Sequence, residues 1–171
     1  MHDTIAPALT PALANDTTFA PESKVWIYTT SRPLNGQETQ AIRQALDMFT
    51  RQWTAHNQAL KAAAEVFMGQ LVILMVDETQ ADASGCSIDK SVHFLEALGR
   101  ETGIDFFERM RFAWIEAGNM HFADRPQFTQ FVQQGRIGPD TLVVNTLAPS
   151  RSELENNWLV PFSKSWHKRL I

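Results

Sequence analysis

The side chains best suited to chemistry lie close together in the sequence, between Asp77 and Ser91. The apolar run 71–76 leads directly into Asp77 and Glu78, as the magnesium-binding strand of a nucleotide hydrolase does. Further on, the residues G-C-S-I-D-K-S at 85–91 are similar to a phosphate-binding loop, whose pattern is G-x-x-x-x-G-K-[ST]. The first question is therefore whether this stretch binds a nucleotide.

The loop lacks features that a phosphate site needs. The second glycine, which lets backbone N–H groups approach the phosphates, is missing, and Ile88 and Asp89 stand where that approach must occur. The carboxylate of Asp89 would also repel a phosphate. In a P-loop enzyme the phosphate loop follows an earlier strand, whereas here the strand ending in Asp77 feeds straight into the loop. These residues predict that the protein does not hydrolyse ATP.

Three other chemistries are open to the same stretch. Cys86 lies next to a predicted helix start, where the helix dipole favours a thiolate. The same helix start could bind an oxyanion. Asp77 and Glu78 could form an acid/base or metal-binding pair. The candidate loop residues are Asp77, Glu78, Ser84, Gly85, Cys86, Ser87, Asp89, Lys90 and Ser91.

Structural roles explain the same residues and are favoured. Ser87 is a natural helix N-cap with Asp89 in the first turn, and Asp77 is expected to accept hydrogen bonds from the loop amides 80–87. Cys86 has no histidine or second cysteine near it in sequence. We therefore assign no catalytic residue, cofactor or metal site. The spacing of four histidines does not fit a metal site: His56, His93, His121 and His167.

Composition limits the class of protein. A chain of 171 residues, 44% of them hydrophobic, can bury a real core, so global disorder is excluded. The net charge of −4 gives no basic excess for nucleic acid or an anionic membrane. A single cysteine excludes an intrachain disulfide, and the N-terminal residues do not fit a signal peptide. The longest apolar run is too short to span a bilayer, so we expect a cytoplasmic protein.

Apolar spacing and turn residues predict the elements that position these side chains. The predicted order is strand 24–30, helix 36–55, strand 60–68, strand 71–76, a helix from Ser87, and strand 109–115. Asn35 and Glu38 form a capping box at the start of the first helix. The β-α-β-β-α-β order is typical of a ferredoxin-like α+β fold.

The chain divides into three predicted parts. Residues 1–22, rich in Ala, Thr and Pro without apolar periodicity, are expected to form a flexible arm. Residues 23–117 are the ferredoxin-like core, and residues 118–171 are a small β/α extension packed on it. Helices cover one face of such a sheet, so the second apolar face of the strand 71–76 needs a cover from the C-terminal segment or a partner chain.

Aromatic residues near the C-terminus are candidates for an interface. Trp158 and Trp166 stand in polar surroundings, and exposed tryptophans often anchor protein interfaces. Folding of the tail onto the sheet explains them equally well. The basic cluster 164–169 is expected to be a solvated end.

Several stretches resemble an uncharacterised bacterial family whose members are often labelled "ABC transporter ATPase". They are WIYTTSRPL, QWTAH, VDETQADASGCSIDKSVHFL, RIGPDTLV, LENNW and SWHK, and they span 24–169. The resemblance implies no established activity. The label conflicts with the altered phosphate loop and with the absence of an L-S-G-G-Q signature.

The stretch FTQFVQQGRIGPDTLV, followed by Trp158, is similar to the helix–turn–strand part of GYF-like adaptor modules. The match covers 111–161 and is carried by the run from Gly135 to Val143. It implies an interaction role, since such modules bind proline-rich peptides or serve as bacterial interaction domains. The G-Y-F tripeptide itself is absent.

The favoured function is a non-catalytic interaction or scaffold protein of the cytosol. Its expected partner is an unknown protein, with a homodimer as a second option, and neither nucleic acid nor membrane is expected. The alternative is a small enzyme or anion-binding protein that uses the loop Asp77–Ser91 and the helix start beside it.

Overall fold

Two larger antiparallel sheets, a two-stranded antiparallel hairpin and four α-helices build the part of the chain that the computed structural model describes, residues 9–79 and 81–171. The strands are β1 Lys24–Thr29, β2 Thr54–Ala55, β3 Gln58–Ala59, β4 Lys61–Phe67, β5 Leu71–Asp77, β6 Arg111–Glu116, β7 Asn119–Asp124, β8 Leu142–Val144 and β9 Leu159–Pro161. The α-helices are α1 Gly36–Gln52, α2 Gly85–Thr102, α3 Arg125–Gln133 and α4 Arg151–Asn156. Short 3₁₀ helices lie at Ala12–Asn15, Phe162–Lys164 and Trp166–Leu170. The fold is mixed α and β, as predicted.

The first sheet has the order β1-β5-β4, with antiparallel neighbours. All residues of β5 are buried because both of its edges are paired and both of its faces are covered. Val72, Leu74 and Val76 point to a core shared with α1 and α2. Alternate residues of β5 point to the opposite side, as the pleat requires.

The second face of β5 is covered by the chain itself. Leu71, Ile73 and Met75 pack in a cluster with residues of β6, β8 and α4, among them Ala113 and Leu154. The sequence predicted a cover from either the C-terminal segment or a partner chain, and the C-terminal segment is the one observed.

The fourth strand of the predicted ferredoxin-like sheet lies elsewhere. The first sheet has only the three strands β1-β5-β4, and β6 pairs with β7 and β8 in a second sheet of order β7-β6-β8-β9. Successive side chains of β6 point to opposite faces of this second sheet. Phe112 and Trp114 pack in a cluster with Phe128 of α3, whereas Ala113 packs against the first sheet. The predicted boundary at residue 117 falls inside the β6–β7 hairpin, so core and extension share a sheet.

The prediction of a flexible arm over 1–22 is wrong for residues 9–22; residues 1–8 lie outside the described part. Leu13 and Phe19 are buried in the cluster on the second face of β5. The buried guanidinium of Arg151 donates to the carbonyl oxygens of Phe19 and Ala14, both at 3.0 Å. These anchors are long-range, so local composition does not reveal them.

Helix starts follow their capping residues. The Asn35 side chain accepts from the Glu38 N–H at 2.8 Å, and the Glu38 carboxylate accepts from the Asn35 N–H at 3.1 Å, which confirms the predicted capping box. The predicted start of α2 at Ser87 is wrong. Its N-cap is Ser84, which exchanges hydrogen bonds with Ser87, so the helix begins earlier. No helix in the described part of the chain is long and apolar enough to cross a membrane.

Candidate functional site

Asp77, the first candidate acid, is a buried structural acceptor. Its carboxylate accepts hydrogen bonds from the N–H groups of Ala20 and Thr79, both at 2.9 Å, and lies 3.7 Å from the Lys61 ammonium. Burial would raise the pKa of Asp77, but these hydrogen bonds and the Lys61 charge outweigh it and lower the pKa to about 2. The donors include Ala20, which lies far away in sequence, so the carboxylate ties the N-terminal segment to the end of β5.

The other polar residues of the candidate loop also have internal partners or point to solvent. Glu78 forms an ion pair with Lys24 at 2.9 Å. Ser84 and Ser87 cap α2, as described above, and the Ser91 hydroxyl donates to the Ile88 carbonyl at 2.6 Å.

Four residues at the start of α2 face solvent: Gly85, Cys86, Asp89 and Lys90. The Lys90 ammonium lies 3.4 Å from the Thr54 hydroxyl. Within the described residues, no group of three His, Cys, Asp or Glu side chains is placed to hold a metal ion. The structure therefore joins Ser84 and Ser87 as capping partners and forms no metal-binding cluster from the described loop residues.

A cavity of about 600 Å³ lies instead along the outer edge of β1. We call it the β1-edge groove; its lining residues are 25–29, 106–110, 146–149, Trp166 and Leu170. Most of the lining is apolar, and its volume is in the range of ligand-binding clefts. None of the candidate loop residues lines it.

Backbone hydrogen-bonding groups of β1 point into this groove. In an antiparallel pair, successive residues turn their N–H and C=O groups to opposite edges. The Val25 N–H donates outward to the Pro149 carbonyl at 3.1 Å, so Val25, Ile27 and Thr29 all turn their groups away from β5. Trp26 and Tyr28 make the ladder bonds to β5.

The outer edge is closed at both ends and open in the middle. At one end Pro149 accepts from Val25, and at the other the Glu108 N–H donates to the Thr29 carbonyl at 3.2 Å. Between them, the N–H and C=O of Ile27, the C=O of Val25 and the N–H of Thr29 have no hydrogen-bond partner among residues 9–79 and 81–171. Unpaired groups of this kind on a strand edge are a template for another strand.

Charged residues lie at the Thr29 end of the groove. Glu108 accepts from the Met110 N–H at 3.2 Å. Arg109 is exposed and forms no ion pair with any residue of the described part of the chain. Burial raises the pKa of Tyr28, while the Ser91 hydrogen bond and the Arg109 charge act in the opposite direction. Arg109 and Tyr28 both line the groove.

Comparison of the chain with family models, curated proteins and solved structures finds no match. The groove and its chemistry are therefore the basis on which function is inferred.

The two candidate interface tryptophans have different positions. Trp158 is 2% exposed, and its indole N–H donates to the Leu9 carbonyl at 2.9 Å, so it is a core residue and is not available to a partner. Trp166 is half-buried and lines the β1-edge groove, with its N–H 3.2 Å from the Asn145 side-chain oxygen.

The C-terminal cluster 164–169, predicted to be solvated, is partly buried. His167 is 1% exposed and packs on Trp166, Phe112 and Phe128, with the first ring centroid 3.7 Å away. Burial among these rings lowers the pKa of His167 to about 4. His167 thus anchors the 3₁₀ helix Trp166–Leu170, which forms one wall of the groove.

Sequence reasoning missed the groove. The sequence correctly predicts a strand over 24–30, but the ferredoxin-like order predicts that the strand 109–115 lies in the same sheet, where it would cover the β1 edge. The apolar pattern of β6 predicts that it is a strand, but it does not predict which strand it pairs with.

Proposed function

We propose that this protein is a non-catalytic interaction protein that binds an extended segment of a partner protein along the open edge of β1. The observation that carries the proposal is the set of unpaired backbone groups around Ile27 at the floor of an apolar groove. Strand addition of this kind uses main-chain hydrogen bonds for affinity and side-chain pockets for specificity.

The first sheet supports this proposal. We interpret it as a ferredoxin-like arrangement whose fourth strand position, beside β1, is left open because β6 pairs in the second sheet. An extended segment from a partner would occupy that position. We further infer a relation to the uncharacterised bacterial family named above and a GYF-like character of the second sheet; both fit an interaction role in the cytosol.

The recess of the edge favours a single extended segment over a second folded copy of the chain. Residues 106–110 and 146–149 line the groove at the Thr29 and Val25 ends of the open stretch, and Trp166 and Leu170 also line it. The β1 edge of a second copy would carry the same surrounding residues, so two such edges would collide before they could pair. A homodimer through this surface is the less favoured option.

The proposal is tested with short synthetic peptides, each made as the free acid and as the C-terminal amide, and screened for binding to the full chain. The best binder is then N-methylated one residue at a time. Strand addition predicts that only alternate positions lose binding, since alternate N–H groups of an added strand face β1. Loss at every position or at none would contradict it.

A pair of protein variants tests whether the outward N–H of Ile27 bonds to the peptide. Ile27→Pro removes the outward N–H without removing a ladder bond to β5, and Ile27→Ala keeps the N–H while shortening the side chain. We expect Ile27→Pro to lose peptide binding and Ile27→Ala to retain most of it, with both folded by circular dichroism. Equal binding by the two variants would show that the β1 edge is not used.

A further inference from the structure

We propose that the β1-edge groove binds the free C-terminus of its partner, with the terminal carboxylate beside Arg109 and the N–H of Thr29. This inference rests on the proposed function and adds the chemical class of the ligand, an apolar C-terminal segment. It follows from the shape of one end of the groove and from the donors found there.

The groove is closed, in line with β1, at its Thr29 end. The Ser31 N–H donates to the Asp105 carbonyl at 2.8 Å, and the Glu108 N–H donates to the Thr29 carbonyl at 3.2 Å. The segment 105–108 therefore already occupies the edge beyond Ile27. The open stretch from Val25 to Thr29 is about 13 Å long, at roughly 3.3 Å per residue. A chain that lies against Ile27 cannot continue straight past Thr29.

Hydrogen-bond donors without partners lie at this closed end. The Thr29 N–H points into the groove, and Arg109 lines it and forms no ion pair with any described residue. The neighbouring acid, Glu108, is held by the Met110 N–H and lies in the field of Arg111. A carboxylate is the group that accepts from a guanidinium and a backbone N–H together, with charge-assisted bonds.

The other end of the groove differs. Its free backbone group is an acceptor, the Val25 carbonyl, and Leu147, whose side chain is exposed, also lines the groove. With the carboxylate at Thr29, the bound segment runs parallel to β1, and its upstream residues leave across Leu147. Because Met110 and Trp166 line the groove, apolar side chains are expected at the last positions.

An aspartate or glutamate side chain offers the same carboxylate, so the test separates the two sources. The best free-acid peptide from the screen is compared with its amide and with an amide whose last residue is Asp. Binding is measured to the wild-type chain, to Arg109→Gln, and to Arg100→Gln as a matched control. Arg100 is exposed on α2 and does not line the groove.

We expect the amide to bind at least about tenfold more weakly than the free acid, as for loss of one charge-assisted contact. Arg109→Gln should reduce the free acid to the level of the amide, and Arg100→Gln should leave the difference intact. The Asp-ended amide should not recover the affinity.

Two results would overturn the inference while leaving strand addition standing. Amides that bind as tightly as free acids, with the alternate N-methyl pattern preserved, would show that no carboxylate is bound. Full recovery by the Asp-ended amide would show that a side chain supplies it. Failure of both peptide forms to bind would contradict the proposed function as well.

Discussion

The carboxylate of Asp77 accepts a hydrogen bond from the backbone N–H of Ala20 at 2.9 Å, across 57 residues of sequence. It also accepts from Thr79 and lies near Lys61, so it joins the N-terminal segment, β4 and the end of β5. Asp77→Ala would leave these part-buried donors without their acceptor. We expect a loss of roughly 2–3 kcal/mol in the free energy of unfolding, measured by denaturant titration. Asp89→Ala, at an exposed position, should cost less than about 0.5 kcal/mol.

The same carboxylate predicts a pH dependence. The pKa of Asp77 is about 2 in the folded chain, below its ordinary value of 3.8, so its contribution to stability is present above pH 3.8. That contribution is lost as the pH falls from 3.8 towards 2. Thermal melting across this window should therefore fall more steeply for the wild type than for Asp77→Asn. Parallel curves for the two proteins would mean that the carboxylate is not held as described.

His167 predicts a second pH window. Burial lowers its pKa from 6.5 to about 4, so its neutral form stabilises the fold above pH 6.5, and that stability is lost as the pH falls from 6.5 towards 4. The loss approaches roughly 2–3 kcal/mol at the acid end. His167→Phe, which keeps an aromatic ring among Phe112, Phe128 and Trp166, should flatten the melting curve in this window. His93→Gln, at an exposed position of α2, should leave it unchanged.

At the start of α2, Ser84 has a structural role and Cys86 does not. Ser84 accepts from the Ser87 N–H at 3.2 Å, whereas Cys86 is exposed. We expect Ser84→Ala to lower the free energy of unfolding by about 1 kcal/mol, as for loss of an N-cap. Cys86→Ala should change it by less than about 0.5 kcal/mol. Equal effects of the two changes in denaturant titration would contradict the assignment of Ser84 as the N-cap.

Local patterns account for the elements that the sequence predicted well. The Asn35 capping box and the apolar face of α1 with Ile42 and Leu46 depend on neighbours within one or two turns, so they are visible in sequence. The continuous apolar run of β5 likewise predicts a strand buried on both faces. The sequence shows where the candidate loop residues are, but it does not predict their hydrogen-bond partners, such as Ala20 for Asp77.

Long-range contacts decide the rest. The segment 9–22 has no apolar period, and its order depends on single anchors such as Phe19 and on hydrogen bonds from Arg151. β6 pairs with β8 through Trp114 and Val143, rather than with β1, so the contact joins segments that are distant in sequence. Because β6 pairs in the second sheet, the edge of β1 at Ile27 stays open. No local pattern in the sequence of β1 predicts this.

Amide hydrogen exchange at Ile27 and Thr29 tests the central claim most directly. In the free protein these N–H groups should exchange much faster than those of Trp26 and Tyr28, which are bonded to β5. At saturating concentration of the best peptide, exchange at Ile27 and Thr29 should slow by at least about tenfold, while Trp26 and Tyr28 change little. Ile27 and Thr29 amides that are already as protected as that of Tyr28, or that stay unchanged when peptide is bound, would contradict strand addition at the β1 edge.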